Sequence, residues 1–329
     1  MEKKQDNLME ISDLTVRYNT DDAVVHAVNN FNLKLVRGEA RGLVGETGAG
    51  KTTLALSILR LLPERVGEVT GGSIVYDGQE LLNLPEAEML PLRGKRISMI
   101  FQDPMTSLNP TQTVGDQILE VLNLHFPEMT REEKNKRVDE MMTLVGIPPQ
   151  RKKSFPHEFS GGMKQRVVIA MALVAEPGLL LADEPTTALD VTIQAQILEL
   201  MKQLREKFNT SVMLITHDLG VVAQFCDSVS VVYAGRVVEY GPVEIVFQRK
   251  ENHPYTAGLF NCIPNLHDDQ PRLHPIAGHM ADPRVEYKGC CFADRCEYAT
   301  ERCRTEAPSM HVCGEHGILC HRYAEKEEF

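Results

Sequence analysis

The chain has 329 residues, of which 43% are hydrophobic and 25% are charged. This balance is typical of globular proteins and excludes wholesale disorder and fibrous repeats. The net charge of −11 argues against a protein that tracks nucleic-acid phosphates, so we expect no nucleic acid among its partners. The longest apolar run, 167–175, is too short to span a membrane. The first residues lack the apolar core of a secretory signal, which predicts a cytosolic chain.

Short β-rich runs alternate with longer helical segments up to about residue 241, as in an α/β domain. The first two predicted strands flank a turn-like segment at 19–22 and are expected to form an antiparallel layer. The predicted strands are 9–18, 24–35, 41–44, 72–76, 97–101, 179–183, 212–216, 230–233 and 237–239.

Strand signals disappear between residues 104 and 175. Thr130 and Glu133 have the spacing of a helix capping box, apolar residues then repeat at helical spacing, and Gly146 suits the helix end. We therefore expect a helical subdomain at about 104–175, inserted into the α/β core.

The last part of the chain has a different character. The stretch from 253 to 288 is rich in Pro, His and Asp, and six of the eight cysteines follow between Cys290 and Cys320. In a reducing cytosol such a cluster favours metal binding over disulfides. We interpret 251–329 as a small C-terminal extension that depends on a bound metal for its order.

Residues 45–52, GETGAGKT, match the pattern of a phosphate-binding loop. Glycines allow successive N–H groups to point at an anion, the lysine can reach the β- and γ-phosphates, and the last threonine can ligate Mg²⁺. The alternative without function is a glycine-rich turn with an exposed lysine. The predicted strand before the loop and the predicted helix after it disfavour this alternative. The predicted nucleotide contacts are Gly45, Glu46, Thr47, Gly48, Ala49, Gly50, Lys51, Thr52 and Thr53.

An apolar strand ending in two acids, 179–184, supplies the carboxylates that a nucleotide hydrolase needs. Asp183 can hold Mg²⁺ through its water shell, and Glu184 can orient or deprotonate the attacking water. Taken alone, the same residues could form a merely polar turn.

Residues 159–166, FSGGMKQR, open a second apolar helix with an anion-binding type of N-terminus. Two separated phosphate-binding elements in one chain suggest that two chains sandwich each nucleotide. The segment resembles the signature motif of the ATP-binding subunits of ABC transporters. The resemblance implies that Ser160, Gly161 and Gly162 complete the ATP site of a partner subunit.

Other positions resemble the same family one by one. Tyr18 resembles the aromatic residue that stacks on adenine, although it could be ordinary core. Gln102 resembles the glutamine that contacts Mg²⁺ and the attacking water. Residues 188–190 resemble the loop that links the two ATP sites, which places Asp190 at the partner's site, and Asp190 can also cap the following helix. His217 resembles the histidine that contacts the γ-phosphate, although a lone histidine is more often structural.

The resemblance implies a P-loop NTPase (ABC ATPase) core with an antiparallel β layer and an inserted helical subdomain. It assigns 1–250 to the ATP-binding domain and 251–329 to the Cys-rich extension. The implied cofactors are ATP and Mg²⁺, bound by Thr52, Gln102 and Asp183. The implied partners are a homologous ATPase subunit in a heterodimer, two transmembrane permease subunits and, indirectly, an extracytoplasmic solute-binding protein. The implied location is the cytoplasmic face of the membrane.

The segment 253–256, HPYT, together with the cysteine cluster, is similar to the C-terminal extension of dipeptide and oligopeptide importer ATPases. The resemblance implies an ATPase that powers peptide import. Related importers handle oligosaccharides, nickel complexes or glutathione, so these substrates remain alternatives. A soluble ABC ATPase of translation or DNA repair is the rival from another class.

Four cysteines follow the spacing C-x5-C-x6-C-x16-C, and four thiolates suit an iron–sulfur cluster or a structural zinc ion. If 295–303 is helical, the two middle cysteines share one face. The resemblance implies a [4Fe–4S] cluster, while Zn²⁺ with help from His311, His316 or His321 stays open, as do free thiols. Cys291 and Cys313 are interpreted as spare. The predicted ligands are Cys290, Cys296, Cys303 and Cys320.

Overall fold

The computed structural model describes residues 6–324 except Ala188, Arg249 and 263–274. The described residues form two compact units. The first unit comprises 6–7, 35–40 and 83–215, and the second comprises 8–34, 41–82 and 216–324. The two units do not correspond to the predicted domains 1–250 and 251–329. The predicted domain boundary near residue 250 stays a prediction.

The elements are named in chain order. The strands are β1 (Asn7–Asn19), β2 (Val24–Val36), β3 (Ala40–Val44), β4 (Gly67–Tyr76), β5 (Gln79–Glu80), β6 (Ile97–Ile100), β7 (Leu179–Asp183), β8 (Ser211–Thr216), β9 (Ser228–Tyr233), β10 (Arg236–Pro242), β11 (Met310–Cys313) and β12 (His316–Leu319). The helices are α1 (Lys51–Ile58), α2 (Glu86–Met89), α3 (Pro104–Ser107), α4 (Val114–His125), α5 (Arg131–Leu144), α6 (Gly161–Leu173), α7 (Val191–Phe208), α8 (Leu219–Phe225), α9 (Val243–Phe247), α10 (Pro254–Asn261) and α11 (Glu301–Thr305). Among the residues described, no helix is both long and apolar enough to cross a bilayer.

Three parallel strands form the sheet of the first unit, in the order β6-β7-β8. Every residue of β7 and β8 is buried, which explains why both strands are almost wholly apolar. The charged residue of these two strands is Asp183 at the carboxyl end of β7, the edge where parallel sheets bind their ligands.

Between β6 and β7 the described elements are all helical, from α3 to α6 with two short 3₁₀ helices. The predicted capping box begins α5: the Thr130 side chain accepts the Glu133 N–H, and the Glu133 carboxylate accepts the Thr130 N–H. The helix ends before Gly146, whose φ of +75° is a left-handed conformation that favours glycine.

The second unit contains an antiparallel sheet in the order β2-β1-β4-β5. In its register Met9 faces Tyr76, and Tyr18 faces Gly67. β4 therefore begins at Gly67, five residues before the predicted start at Gly72. Its first half pairs with β1 while its side chains remain largely exposed, so no burial pattern announces it.

A second set of strands in this unit has the order β11-β12-β10-β9-β3. β3 runs parallel to β9, whereas β9, β10, β12 and β11 pair antiparallel. The strands β11 and β12, which sequence patterns did not predict, attach the chain's last described part to β10 through the pairing of Glu239 with Ile318. Together with the α/β core, the antiparallel layer confirms the predicted fold class.

A buried carboxylate fastens this C-terminal part. Glu239 is fully buried and accepts hydrogen bonds from the Asn252 side chain at 2.7 Å and from the His253 N–H at 2.8 Å. The His316 ring nitrogen Nε2 lies 2.8 Å from the same carboxylate. Because burying a carboxylate is costly unless it is fully hydrogen-bonded, these three partners hold β10, α10 and β12 in one arrangement.

Candidate functional site

The phosphate loop lies in the second unit, between β3 and α1, as predicted. Its curl requires glycine at two positions. A Cβ on Gly45 would lie 2.2 Å from the Val232 carbonyl oxygen, and a Cβ on Gly50 would lie 2.2 Å from the Ala27 carbonyl oxygen. Gly50 also has a φ of +96°. The loop therefore holds a backbone conformation that other residues would not permit.

Lys51 is nearly buried and turns back over the loop. Its Nζ donates to the carbonyl oxygens of Gly45 at 2.7 Å and of Glu46 at 3.0 Å. Helix α1 begins here with no acidic residue in its first turn and no side-chain cap at Gly50, so its positive end is not neutralised. Lysine and helix end together make this loop a site for a phosphate chain.

The other predicted contacts of the loop differ in exposure. Ala49 is fully buried, and Thr47, Gly48 and Thr52 are exposed. Tyr18 approaches from β1, where its O–H donates to Thr53 Oγ1 at 3.1 Å. The structure thus brings the predicted adenine-stacking residue to the helix that follows the phosphate loop.

The predicted acids lie in the first unit. Asp183 ends β7 with only 2% of its surface exposed, and Glu184 follows with a φ of +47°. Gln102 Nε2 donates to Glu184 Oε2 at 3.1 Å, and Thr187 Oγ1 donates to the same oxygen at 2.9 Å. A glutamate with its backbone in the left-handed region is uncommon, and such backbone strain is often found at functional sites.

The signature segment also lies in the first unit. Ser160 is the N-cap residue of α6, yet its side chain makes no capping hydrogen bond, and the first turn contains no acid. A Cβ on Gly162 would lie 2.6 Å from the Ile193 side chain, so glycine lets α6 and α7 approach. The predicted cap at Asp190 is confirmed, because its carboxylate accepts the Ile193 N–H at 3.0 Å.

The remaining predicted site residue, His217, is exposed directly after β8 and belongs to the second unit. Within one unit or the other, the structure therefore joins Gln102 to Glu184 and Tyr18 to the phosphate loop. Ala188, the first residue of the predicted linking loop at 188–190, lies outside the described residues.

The four predicted cysteine ligands line one cavity of the second unit. They share it with two imidazoles and several apolar side chains, whereas Cys291 and Cys313 do not line it. Within the described ranges, no three His, Cys, Asp or Glu side chains form a group close enough to hold a metal ion. The ligands in the cavity are Cys290, Cys296, Cys303 and Cys320, and the imidazoles are His253 and His321.

The condition that 295–303 is a single helix is not met. Cys296 follows a 3₁₀ helix that ends at Arg295, and Cys303 lies in α11, which begins at Glu301. The two thiols nevertheless reach one cavity, because the Cys290 N–H donates to the Cys303 carbonyl oxygen at 2.7 Å and folds the segment back. Of the candidate histidines, His316 is engaged by Glu239 instead.

The cavity strongly disfavours thiolates. Burial raises the pKa of Cys290 to about 12, and the neighbouring thiols of Cys291, Cys320 and Cys303 add to the effect. Burial also raises the pKa of Cys296 and of Cys320. A cation is the natural compensation for such thiolates, since metal binding displaces the protons.

Two residues that sequence reasoning missed contact the phosphate loop. The Tyr255 hydroxyl accepts the Glu46 N–H at 2.9 Å. The Arg295 guanidinium donates to both carboxylate oxygens of Glu46, at 2.7 and 3.2 Å. No local pattern announces either contact, although Tyr255 lies in the HPYT segment at 253–256 and Arg295 directly precedes a cysteine of the cluster.

Two family models match the chain. The model for ABC transporters matches residues 28–187, and the model for the C-terminal region of oligopeptide/dipeptide transporters matches residues 238–303. The Oligopeptide transport ATP-binding protein OppD of Haemophilus influenzae is 47% identical over 98% of both chains. The OppD of Salmonella typhimurium is 50% identical over 92% of this chain and 89% of its own length.

Solved structures show the same fold. The ATP-binding cassette MJ0796, in a dimeric post-hydrolysis state bound to ADP and Pi, has a TM-score of 0.64 and 28% identity, covering 71% of this chain and 98% of its own. The cbiO1 protein of Clostridium perfringens, part of the ABC transporter complex cbiONQ, has a TM-score of 0.65 and 30% identity, covering 75% and 93%. This chain is an ATPase and belongs to the ATP-binding subunits of the dipeptide and oligopeptide ABC transporter family.

Proposed function

We propose that this ATPase powers the import of dipeptides and oligopeptides across the cell membrane. The observation that carries the proposal is the pairing of a phosphate loop with the C-terminal region typical of oligopeptide/dipeptide transporters in one chain. Relatives named for oligopeptide transport match it over nearly their whole length. Oligosaccharides, nickel complexes and glutathione are the alternative solutes.

In this proposal ATP binds along the loop between β3 and α1. The backbone N–H groups from Gly45 to Thr53 surround the phosphates, Lys51 turns from the loop carbonyls toward the β- and γ-phosphates, and Tyr18 stacks on the adenine. The exposed Thr52 hydroxyl would ligate Mg²⁺, Gln102 and Asp183 are the further candidate ligands, and the ion would offset the phosphate charge.

Glu184 is the proposed general base. Its carboxylate already accepts two hydrogen bonds, from Gln102 and Thr187, which orient it without neutralising it. A water held by this carboxylate can attack the γ-phosphate, and His217 contacts the same phosphate to stabilise its developing charge. Glu184 and Gln102 thus act on the water, while His217 acts on the γ-phosphoryl group that is transferred to this water as ADP leaves.

Hydrolysis further requires a second ATPase subunit. The uncapped α6 N-terminus at Ser160, Gly161 and Gly162 is suited to the γ-phosphate bound by a partner, with Asp190 beside it. A homologous chain supplies the reciprocal elements in a heterodimer. The ATPase pair lies at the cytoplasmic face of the membrane, and its closure moves two transmembrane permease subunits. A solute-binding protein delivers the peptide from outside.

We further propose that the cysteine cavity holds a metal centre. Four thiolates are the usual ligands of a [4Fe–4S] cluster, and zinc is the alternative. Bound metal would link turns that are distant in sequence, at Cys290, Cys296, Cys303 and Cys320, and its role would be structural.

Metal content measured on anaerobically purified protein tests this proposal. Cys296→Ser should lose iron and acid-labile sulfide, whereas Cys313→Ser, which alters a thiol outside the cavity, should retain both. Zinc in place of iron would support the alternative. Equal metal content in both variants, or none in the unaltered protein, would overturn the assignment.

Peptide uptake tests the transport function. The full complex is purified with its membrane subunits, placed in vesicles with ATP on the side of this chain, and given a labelled tripeptide. We expect ATP-dependent uptake that Glu184→Gln abolishes and that Glu206→Gln, at an exposed position of α7, leaves intact. Uptake of a labelled oligosaccharide, nickel complex or glutathione without peptide uptake would assign the alternative solute.

A further inference from the structure

Glu46, the second residue of the phosphate loop, is held from three sides. Its N–H donates to the Tyr255 hydroxyl at 2.9 Å, and its carboxylate accepts two hydrogen bonds from Arg295. Its carbonyl oxygen accepts from Lys51 Nζ at 3.0 Å. One residue therefore joins the lysine of the loop to two side chains of the C-terminal part.

Arg295 is itself rigidly placed. Its side chain is only 5% exposed, and its Nε donates to the Ala277 carbonyl oxygen at 3.1 Å. The guanidinium also lies over the rings of Tyr233 and Phe292, at 5.8 and 5.9 Å from their centroids. A planar guanidinium fixed in this way accepts a carboxylate in one orientation, unlike a surface ion pair.

Tyr255 is equally constrained. It is fully buried, and its ring lies 4.6 Å from the ring of Tyr233 and 5.5 Å from the ring of Phe292. Burial raises the pKa of Tyr255, so its hydroxyl stays protonated, and its oxygen accepts the Glu46 N–H at 2.9 Å. The aromatic cluster thus supports both contacts to the loop.

We propose that Arg295 and Tyr255 are positioning residues for the phosphate loop. They hold Glu46 so that the loop backbone and Lys51 keep the geometry that binds nucleotide. Arg295 also offsets the negative charge of Glu46, which would otherwise repel a nearby triphosphate. This inference rests on the proposed role of the loop in binding ATP.

The proposal makes the C-terminal segment a working part of the nucleotide site. Arg295 ends the 3₁₀ helix Ala293–Arg295, and the next residue, Cys296, lines the cysteine cavity. A displacement of Cys296 would therefore also move the adjacent Arg295, which contacts Glu46 of the phosphate loop. The C-terminal part would then act on ATP binding directly, in addition to any role in assembly.

Affinity for a non-hydrolysable ATP analogue, measured with Mg²⁺ on the full chain, tests the proposal. We expect Arg295→Ala to weaken ATP binding about tenfold, equivalent to about 1.4 kcal/mol. Arg295→Lys should restore part of the loss, because lysine keeps the charge but cannot form the paired contact. Arg304→Ala, which removes an exposed ion pair with Asp294 in the same segment, is the matched control and should bind ATP normally.

A second substitution separates positioning from a general loss of structure. Adding Glu46→Gln to Arg295→Ala should recover part of the ATP affinity, because it removes the unpaired carboxylate. A segment that had merely unfolded would not respond to that change. Tyr255→Phe, which keeps the ring and removes the hydroxyl, should weaken binding by a few-fold and carries the test if Arg295→Ala does not fold.

The outcomes also separate this inference from the function on which it rests. Normal ATP affinity in Arg295→Ala and in Tyr255→Phe, together with weakened affinity in Lys51→Ala, would overturn the positioning role alone. Normal affinity in Lys51→Ala as well would show that the loop does not bind ATP, and the positioning role would fail with it.

Discussion

The phosphate loop and the cysteine segment between Cys290 and Cys320 obtain their geometry in different ways. In the loop, consecutive residues place the backbone and lysine, and two glycines meet carbonyl oxygens too closely for any Cβ. In the cysteine segment, the ligands come from four separate places: a loop at Cys290, the end of a 3₁₀ helix at Cys296, α11 at Cys303 and the end of β12 at Cys320. A contiguous motif thus defines its own shape, whereas a dispersed ligand set depends on the contacts that fold the segment.

The largest expected effect lies on the dispersed side of this comparison. Glu239→Ala would remove three buried hydrogen bonds near β10, from Asn252, His253 and His316, each loss costing about 1–3 kcal/mol. We therefore expect a loss of at least about 3 kcal/mol in the free energy of unfolding, measured by denaturant titration. Glu244→Ala, at an exposed position of the adjacent α9, should change stability by less than about 0.5 kcal/mol.

The comparison would break if Glu239→Ala unfolded no more readily than Glu244→Ala. Such a result would mean that the buried carboxylate network does not hold the C-terminal part in place. Intact ATP binding in a Glu239→Ala protein with a disordered cysteine segment would also separate that segment from the phosphate loop.

The next effect lies on the local side. In the proposed function, Lys51→Ala removes a charge-assisted contact to phosphate worth about 1.5–3 kcal/mol, so ATP affinity should fall about 10- to 100-fold. The fold should remain intact, because Lys51 Nζ donates to carbonyl oxygens of its own loop, at Gly45 and Glu46. Lys202→Ala, at an exposed position of α7, is the control for loss of a positive charge.

Equal ATP affinity of Lys51→Ala and Lys202→Ala in a binding titration would contradict the assignment of the loop. A large loss in the free energy of unfolding of Lys51→Ala would contradict the view that the loop lysine serves ATP binding and not the stability of the fold.

The smallest effect concerns the capping box of α5, a reference for purely local structure. Thr130→Ala should cost about 1 kcal/mol of unfolding free energy in a denaturant titration, whereas Thr192→Ala, at an exposed helical position, should cost nothing.

The capping box also makes the stability depend on pH. The Thr130 N–H and O–H hold the pKa of Glu133 below its usual value of 4.5. That contribution is present above this pH and disappears as the pH falls through the lowered pKa. A cost for Thr130→Ala that did not shrink in acid would contradict this reading.

Much of the fold could be predicted because it has a local cause. Strands buried on both faces, such as β7 and β8, read as short apolar runs, and the Thr130 box and the Asp190 cap follow from spacing alone. The early start of β4 could not be seen, since its exposed first half is held by backbone pairing with β1. Strands β11 and β12 likewise acquire their meaning only from pairing with β10.

The site divides along the same line. The loop, the two acids and the signature helix were predictable as contiguous motifs. Arg295 and Tyr255 were not, because each is more than 200 positions away from Glu46 in sequence. The hydrogen bond from Gln102 to Glu184 joins residues 82 positions apart, and only a resemblance to a family pointed to it.

The central claim is that Glu184 activates the water that attacks ATP held by the phosphate loop. The most direct measurement is ATP turnover and ATP binding by Glu184→Gln within the assembled complex, beside Glu206→Gln. We expect turnover to fall at least about 100-fold while ATP affinity is retained and the two ATPase subunits stay closed on the nucleotide. Near-normal steady-state turnover in Glu184→Gln would contradict the account.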